Sequence, residues 1–341
     1  MASSTTPAAA VAAGEKEIGI GTRKSLLARI QADMVQAALQ KAWPDKKYAI
    51  HAMSTMGDNN QVTALHDFNA KSLWTHELEA LLLEGKLDLI VHCLKDMPTQ
   101  LPPTLSIAAV MEREDPRDCV IISAKYADKG YTTLASLPAG SVVGTSSVRR
   151  SAQIARQYPE LKFADVRGNV GTRLAKLDDP EKPYTCLVLA AAGLKRLDLA
   201  ARISQYLESD NGGVLHAVGQ GSLAIEIRAD DAETLQLLAP LEHVPSKLAC
   251  LAERSLMRTL EGGCSVPIGV ETKWTAEKQL SMKYAVVSID GTESVHGHIE
   301  RAVTTVEEAD QLGWDAARDL VERGAGKILE KINLNRKLVD A

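Results

Sequence analysis

Strand-like and helix-like stretches alternate through the first two-thirds of this chain, and that alternation restricts the fold to α/β domains. Residues 17–21 read as a strand that runs into Gly21-Thr22-Arg23-Lys24-Ser25, then a helix with Leu27, Ile30, Met34 and Ala38 at helical spacing. Further strands are expected at 48–53 and 87–91, with an amphipathic helix at 74–83 between them. Pro98, Pro102 and Pro103 break regularity after that. A second set begins near Asp118, with strands at 119–122, 141–144, 163–166 and 186–190. Its helices lead out of Thr145-Ser146-Ser147 as far as Tyr158 and cover 170–177. In the strand 222–228, Leu223, Ile225 and Ile227 share one face. From Ser246 the pattern changes to a long helix reaching Leu260, then Gly262-Gly263-Cys264, alternating strands and two closing helices. This reads as a separate α+β domain. Gly21-Thr22 and Gly144-Thr145 each end a strand and open a helix, as two related domains would, although a common dipeptide can also recur by chance.

At roughly 150 residues per domain, 341 residues allow two or three domains, each with its own core. Lys and Arg total 39 against 44 Asp and Glu, a net charge of −5, so there is no chain-wide basic footprint for nucleic acid. Aromatics are only 4%, too few to interleave with basic side chains as a stacking surface. No apolar run approaches the ~18–20 residues that a membrane span needs. Residues 1–14 are mainly Ala, Ser, Thr and Pro without Lys or Arg, and are expected to be a disordered tail rather than a targeting peptide. The five cysteines are odd in number, irregularly spaced and without a CxxC, which excludes a disulfide framework and a zinc ribbon. No metal site is expected, and reduced thiols in a cytosol-like compartment are.

The chemistry concentrates at strand-to-helix junctions, where free N–H groups, the helix dipole and Ser or Thr hydroxyls favour anions. Thr22, Arg23, Lys24 and Ser25 occupy one junction. Thr145, Ser146, Ser147, Arg149 and Arg150 occupy another, and Arg167-Gly168-Asn169 with Arg173 a third. A single Arg is ordinarily a solvated surface group. So many at the carboxyl ends of strands in an acidic chain point to a polyanionic ligand bound by guanidinium forks. Neither a Walker loop nor GxGxxG follows the first strand, which disfavours a nucleotide. His92-Cys93-Leu94-Lys95-Asp96-Met97-Pro98 sets a Lys and an Asp at the mouth of the first sheet, either as a surface ion pair or to stabilise a cation and move a proton. Cys93, Cys119, Cys186 and Cys250 lie among apolar residues and read as buried thiols. Cys264 sits after two glycines and shortly before Pro267, presented on a loop where its thiolate can act as a nucleophile. Val218-Gly219-Gln220-Gly221-Ser222 is a tight turn or a hinge.

These segments, taken in order, resemble the porphobilinogen deaminase (hydroxymethylbilane synthase) family. The matching residues are Gly-Thr-Arg-Lys-Ser at 21–25 with Ala28-Arg29-Ile30-Gln31, Leu94-Lys95-Asp96-Met97-Pro98, and Gly144-Thr145-Ser146-Ser147-Val148-Arg149-Arg150. Arg167-Gly168-Asn169, Ala192-Gly193-Leu194-Lys195-Arg196, Gly219-Gln220-Gly221 and Glu261-Gly262-Gly263-Cys264 follow. The resemblance runs from residue 17 to about 275. It implies two type II periplasmic-binding-protein-like α/β domains, 15–115 with 218–241 and 116–217, and a smaller α+β domain at 242–341. It also implies a dipyrromethane cofactor held on Cys264 by a thioether, and head-to-tail condensation of four porphobilinogen molecules with loss of ammonia, then hydrolytic release of the linear product.

Carried over residue by residue, the resemblance implies Asp96 as the catalytic carboxylate. Lys95, Ser146, Arg149, Arg150, Arg173 and Gly193 surround the cofactor, and Arg23, Ser25, Gln31, Ser147, Arg167, Arg196 and Gln220 hold substrate. Cys93 stands where Ser is usual, Met56 where Thr is frequent and His76 where Lys is common, departures that bear on rate or on the loop 57–72 rather than on the reaction. The expected setting is a cytoplasmic monomer with a plastid as the other compartment, no nucleic acid and no membrane. Two other classes remain open on the residues alone: a two-lobed anion sensor, which has no use for the third domain and its thiol, and a cysteine hydrolase, which lacks a local His partner for Cys264.

Overall fold

The computed structural model describes residues 17–55, 75–260 and 266–339. The first lobe contains β1 (Ile18–Arg23), α1 (Leu26–Ala42), β2 (Tyr48–Met53), α2 (His76–Leu83), β3 (Leu89–Cys93) and β4 (Leu105–Val110). The chain then crosses into a second lobe of β5 (Asp118–Ile122), α3 (Ala124–Ala127), β6 (Val142–Gly144), α4 (Val148–Gln157), β7 (Lys162–Ala164), α5 (Val170–Asp178), β8 (Cys186–Ala190), α6 (Ala191–Arg196) and β9 (Gln205–Leu207). It returns as β10 (Leu223–Arg228) and α7 (Ala232–Leu238).

Both lobes hold five-stranded sheets wired alike. The first has the order β2-β1-β3-β10-β4 and the second β7-β6-β8-β5-β9. In each, three parallel strands meet one antiparallel strand supplied by the segment that has just crossed between lobes. This is the type II periplasmic-binding-protein arrangement. The Gly-Thr repeat is part of it: Gly21 pairs with Ile90 at the end of β1, and Gly144 with Leu187 at the end of β6. A Cβ at Gly21 would run into Leu87, and one at Gly144 into Leu187 and Tyr184. Glycine is needed at both because these neighbouring side chains already fill the space that a Cβ would take.

Three boundaries depart from the pattern reading. β3 begins at Leu89 and ends at Cys93, two residues later than the apolar run suggests, because its far end is set by antiparallel pairing of Cys93 with Leu223. The prolines at 98–103 precede a strand, β4, which lies at the sheet edge against β10. The short β9 pairs with β5 over three residues, too few to leave a periodic signal.

The third unit is α+β. Helix α8 (Val244–Thr259) is followed by an antiparallel sheet of β11 (Ile268–Ala276), β12 (Gln279–Val287) and β13 (Ser294–Ala302), then α9 (Val306–Glu322) and α10 (Ala325–Val339). Its core gathers Leu256, Val270, Met282, Tyr284, Leu312 and Leu320. Helices α8 and α9 approach at Gly313, where a Cβ would meet the backbone of Ala252 and Leu256 and the side chain of Ser255. Gly313→Val therefore forces the two helices apart and costs about 1–3 kcal/mol, read as a lower urea midpoint. A wild-type midpoint would show that the helices are not held at that distance.

Candidate active site

Each lobe presents a helix start beside its central strand. Ser25 caps α1, its hydroxyl oxygen accepting from Ala28 N at 3.3 Å, directly after Arg23 closes β1. In the second lobe Ser147 caps α4 through its backbone only, so its hydroxyl is uncommitted among the described residues. Ser146 is different: its hydroxyl donates to Val166 O at 3.0 Å and lies 3.2 Å from Val166 N. That side chain fixes the loop before Arg167 to the start of α4. Gly168, at φ +109°, turns the chain so that Asn169 can cap α5 by accepting from Thr172 N at 2.9 Å. Arg173, one turn along α5, donates from Nε to Gly168 O at 2.7 Å.

The arginines do not form a uniform lining. Arg149 donates from Nη1 to Asp118 Oδ2 and to Leu215 O, both at 2.6 Å. Arg150 donates from Nε and Nη2 to Asp118 Oδ1 at 3.0 and 2.7 Å, and from Nη1 to Val188 O at 3.0 Å. Both are buried. One edge of each guanidinium thus serves a carboxylate of the protein, Asp118. Asp118 carries no motif, and the sequence reading missed it. Its only signal is its place as the first residue of the strand that enters the second lobe.

Arg173 is in the opposite situation. Burial and the like charges of Arg150 and Arg167 bring its guanidinium down to about 10, with Asp96 alone opposing them. A buried cation pressed by like charges is an environment that favours an anion beside it. Asp96, in the single turn Leu94–Asp96 after β3, thus faces the second lobe's arginines from the first lobe. Arg196 joins from α6. It donates from Nη2 to Gly221 O at 2.7 Å, while its Nε is buried without a hydrogen-bond partner among the described residues. Burial lowers its pKa, and the Cys93 and Glu114 charges oppose the drop.

Cys93 is not a buried apolar thiol like Cys119, Cys186 and Cys250. It is half-buried, with Sγ 3.1 Å from Nε2 and 3.3 Å from Oε1 of the buried Gln31 on α1. Burial pushes the thiol up and Asp96 adds to this, whereas Lys95, the Gln31 bond and Arg196 pull it down. Those opposing groups place Lys95, Asp96 and Arg196 around one point. Gly193 completes the approach of the lobes, since a Cβ there would lie 3.6 Å from Leu27 of α1.

The Gly-Gln-Gly turn is where the two crossing segments meet. Gly219 and Gly221 take φ of +69° and +91°, and a Cβ at Gly221 would strike Glu114 O. Gln220 between them is buried and donates from Nε2 to Pro116 O at 2.7 Å and Asp118 Oδ1 at 2.9 Å. Arg113 donates from Nε to Gln220 O at 2.8 Å and grips Glu253 of α8 with both Nη atoms at 2.7 and 3.0 Å. Burial would raise the Glu253 carboxyl, but Arg113 and His216 hold it low.

Two carboxylates at this crossing make the fold acid-sensitive. Burial pushes Asp118 up, yet the charges and hydrogen bonds of Arg149 and Arg150 keep it well below the usual range. Hydrogen bonds from Arg117 and Lys195 likewise overcome burial and bring Asp115 to about 2. A depressed carboxylate contributes stability above its unfolded value of roughly 3.9 and loses it as pH falls toward the folded one. The thermal midpoint is expected to drop below about pH 4 and to do so less steeply in Asp115→Asn; parallel curves would contradict this.

Glu261 to Ser265, with Cys264, lie outside the described residues, as do Met56 and the loop 57–72. Helix α8, which holds Glu253, ends at Thr259, five positions before Cys264 in the sequence. The family description "Porphobilinogen deaminase, dipyromethane cofactor binding domain" matches residues 18–236, and "Porphobilinogen deaminase, C-terminal domain" matches 247–322. A porphobilinogen deaminase of Neurospora crassa is 54% identical over 325 residues, covering 94% of this chain and 96% of that protein. One from Saccharomyces cerevisiae is 47% identical over 329 residues, covering 95% and 99%. With both family domains matched in order and near-complete coverage at such identity, the chain belongs to the porphobilinogen deaminase family.

Proposed function

We propose that this chain is a hydroxymethylbilane synthase, a transferase that joins four porphobilinogen molecules head to tail with release of four ammonia and hydrolyses the product free as a linear tetrapyrrole. The observation that carries the reading is the buried Arg173, pressed by the like charges of Arg150 and Arg167 and faced by Asp96. Each porphobilinogen brings an acetate and a propionate, so every addition supplies two more negative charges for guanidinium forks. Arg23, Arg167 and Arg196, with Ser25, Ser147, Gln31 and Gln220, are assigned to substrate.

The donor set also suits pyrroles that carry carboxylates, the chemistry shared by the substrate and the family's dipyrromethane cofactor. Arg196 Nε is a buried donor and Gln220 Oε1 a buried acceptor, both without a hydrogen-bond partner among the described residues, and they match carboxylate and pyrrole N–H respectively. Cys264 is the thioether anchor, with Lys95, Ser146, Arg149, Arg150, Arg173 and the backbone at Gly193 around the group. When bound, the cofactor supplies a permanently held pyrrole end onto which substrate rings are joined, and a thioether survives repeated cycles where an ester would hydrolyse. Asp96 accepts from pyrrole N–H groups and stabilises the positive charge left on porphobilinogen as ammonia departs. It is also the nearby base for the proton that the ring sheds to regain aromaticity. Lys95 and the arginines hold the carboxylates still while this occurs.

The domains are taken as 15–115 with 218–241, 116–217 and 242–341, the substrate cleft lying between the first two. No helix among the described residues is long and apolar enough to cross a membrane. The unpaired thiols Cys93, Cys119, Cys186 and Cys250 support a reducing, cytoplasmic setting, and a monomer is assigned. Arg173→Met tests the reading. Its charge costs stability when no anion is bound, so in a Cys264→Ser background the thermal midpoint rises. In the intact enzyme the KM for porphobilinogen increases about tenfold or more, as for a lost charge-assisted bond. An unchanged KM would remove the arginine crowd from substrate binding.

A further inference from the structure

We infer that Asp118 is a positioning residue: it clamps one edge of Arg149 and one of Arg150 so that their remaining N–H groups meet the carboxylates of cofactor and substrate. The inference rests on the function proposed above and extends it to a residue outside the assigned site.

Asp118 is fully buried, and its two oxygens accept four hydrogen bonds from three side chains, Arg149, Arg150 and Gln220. The family resemblance implies ligand contacts for all three. Arg149 spends only Nη1 on the protein, leaving Nε and Nη2 without a protein acceptor among the described residues. Two guanidiniums against one carboxylate leave a net positive charge in a buried pocket, which an anionic ligand can balance. Without Asp118 the adjacent cations would repel, and each flexible side chain would lose the orientation that makes a two-point grip possible. Burial and Arg150 already depress Arg149, with Asp118 opposing them.

The clamp is also anchored to both other parts of the molecule. Gln220 belongs to the segment returning to the first lobe and binds Asp118 through its side chain. Its carbonyl accepts from Arg113, which grips Glu253 on the helix that leads to the Cys264 loop. The arginine pair is therefore held in register with the crossing segments and with the cofactor-bearing unit, through hydrogen bonds no longer than 3.0 Å.

The test is Asp118→Asn, which preserves shape and removes charge, compared with Arg150→Lys and with the double variant. Three quantities are read: circular dichroism and thermal midpoint, the fraction of purified chain carrying the two-pyrrole mass, and KM against kcat. Asp118→Asn is expected to fold, to load a smaller fraction, and to raise KM about tenfold with kcat per loaded chain within about threefold. Because Asp118 acts through the arginines, adding it to Arg150→Lys changes KM and loaded fraction by less than about twofold. Multiplying effects in the double variant, or a wild-type KM and loaded fraction in Asp118→Asn, would overturn the proposal. If Asp118→Asn does not fold, Asp118→Glu replaces it: the charge stays, the carboxylate is displaced by a methylene, and the same non-additivity is expected. A wild-type chain with no pyrrole mass would sink the functional reading itself, whereas a loaded wild type beside an indifferent Asp118 variant sinks only this inference.

Discussion

Asp96→Asn is expected to fold normally and to lower kcat by about 10²–10³-fold. The structural cost is small because Asp96 sits half-buried in a one-turn helix and neither accepts a hydrogen bond nor closes an ion pair among the described residues. Asn matches its size, so the packing of Leu94 and Met97 beneath the turn is undisturbed. The catalytic cost is large because the charge faces a site otherwise filled with guanidinium groups. The cation proposed to form on the substrate is then faced by an amide, which offers only a dipole in place of a charge. Turnover near the wild-type rate, checked by ammonia release, would take Asp96 out of the reaction.

Cys264→Ser is expected to leave the chain without covalent pyrroles and with activity at background. A serine hydroxyl is a far weaker nucleophile near neutral pH than a thiol that is part thiolate. The other described cysteines cannot replace it. Burial raises Cys119 and Cys186 to about 12, and Cys250 is buried with Sγ 3.1 Å from Ser222 Oγ. Cys93 is pushed up by burial and held by Gln31. Modification is therefore expected at one position only, and a modified Cys264→Ser chain would show that another side chain is the anchor.

The architecture was legible because its signals are local. Strand-helix alternation gave the two lobes, and the loss of alternation after Ser246 gave the third unit. The echo of Gly21-Thr22 in Gly144-Thr145 is one contact repeated in two sheets, the strand end that cannot carry a Cβ. The edge strands were less visible: β4 follows a proline cluster and β9 has three residues, so neither leaves a period to read.

The candidate site was legible as residue types but not as pairings. Consecutive arginines after Ser147 announce anion binding, yet nothing local says that Asp118, some thirty positions earlier, takes one edge of each. Ser146 reads as a ligand hydroxyl, and nothing local says that the chain also brings Val166 against it. Arg113 and Glu253 lie 140 residues apart and become partners only once three units are assembled. Long-range charge pairing is a property of topology, and a single sequence carries no periodicity for it.

The most direct measurement is the intact mass of the purified chain and of Cys264→Ser. The account predicts a wild-type mass above that of the sequence by two linked pyrroles, lengthening in steps when porphobilinogen is added, and an unshifted mass for the variant. An active wild-type enzyme with no added mass would contradict a product built on a sulfur-held primer.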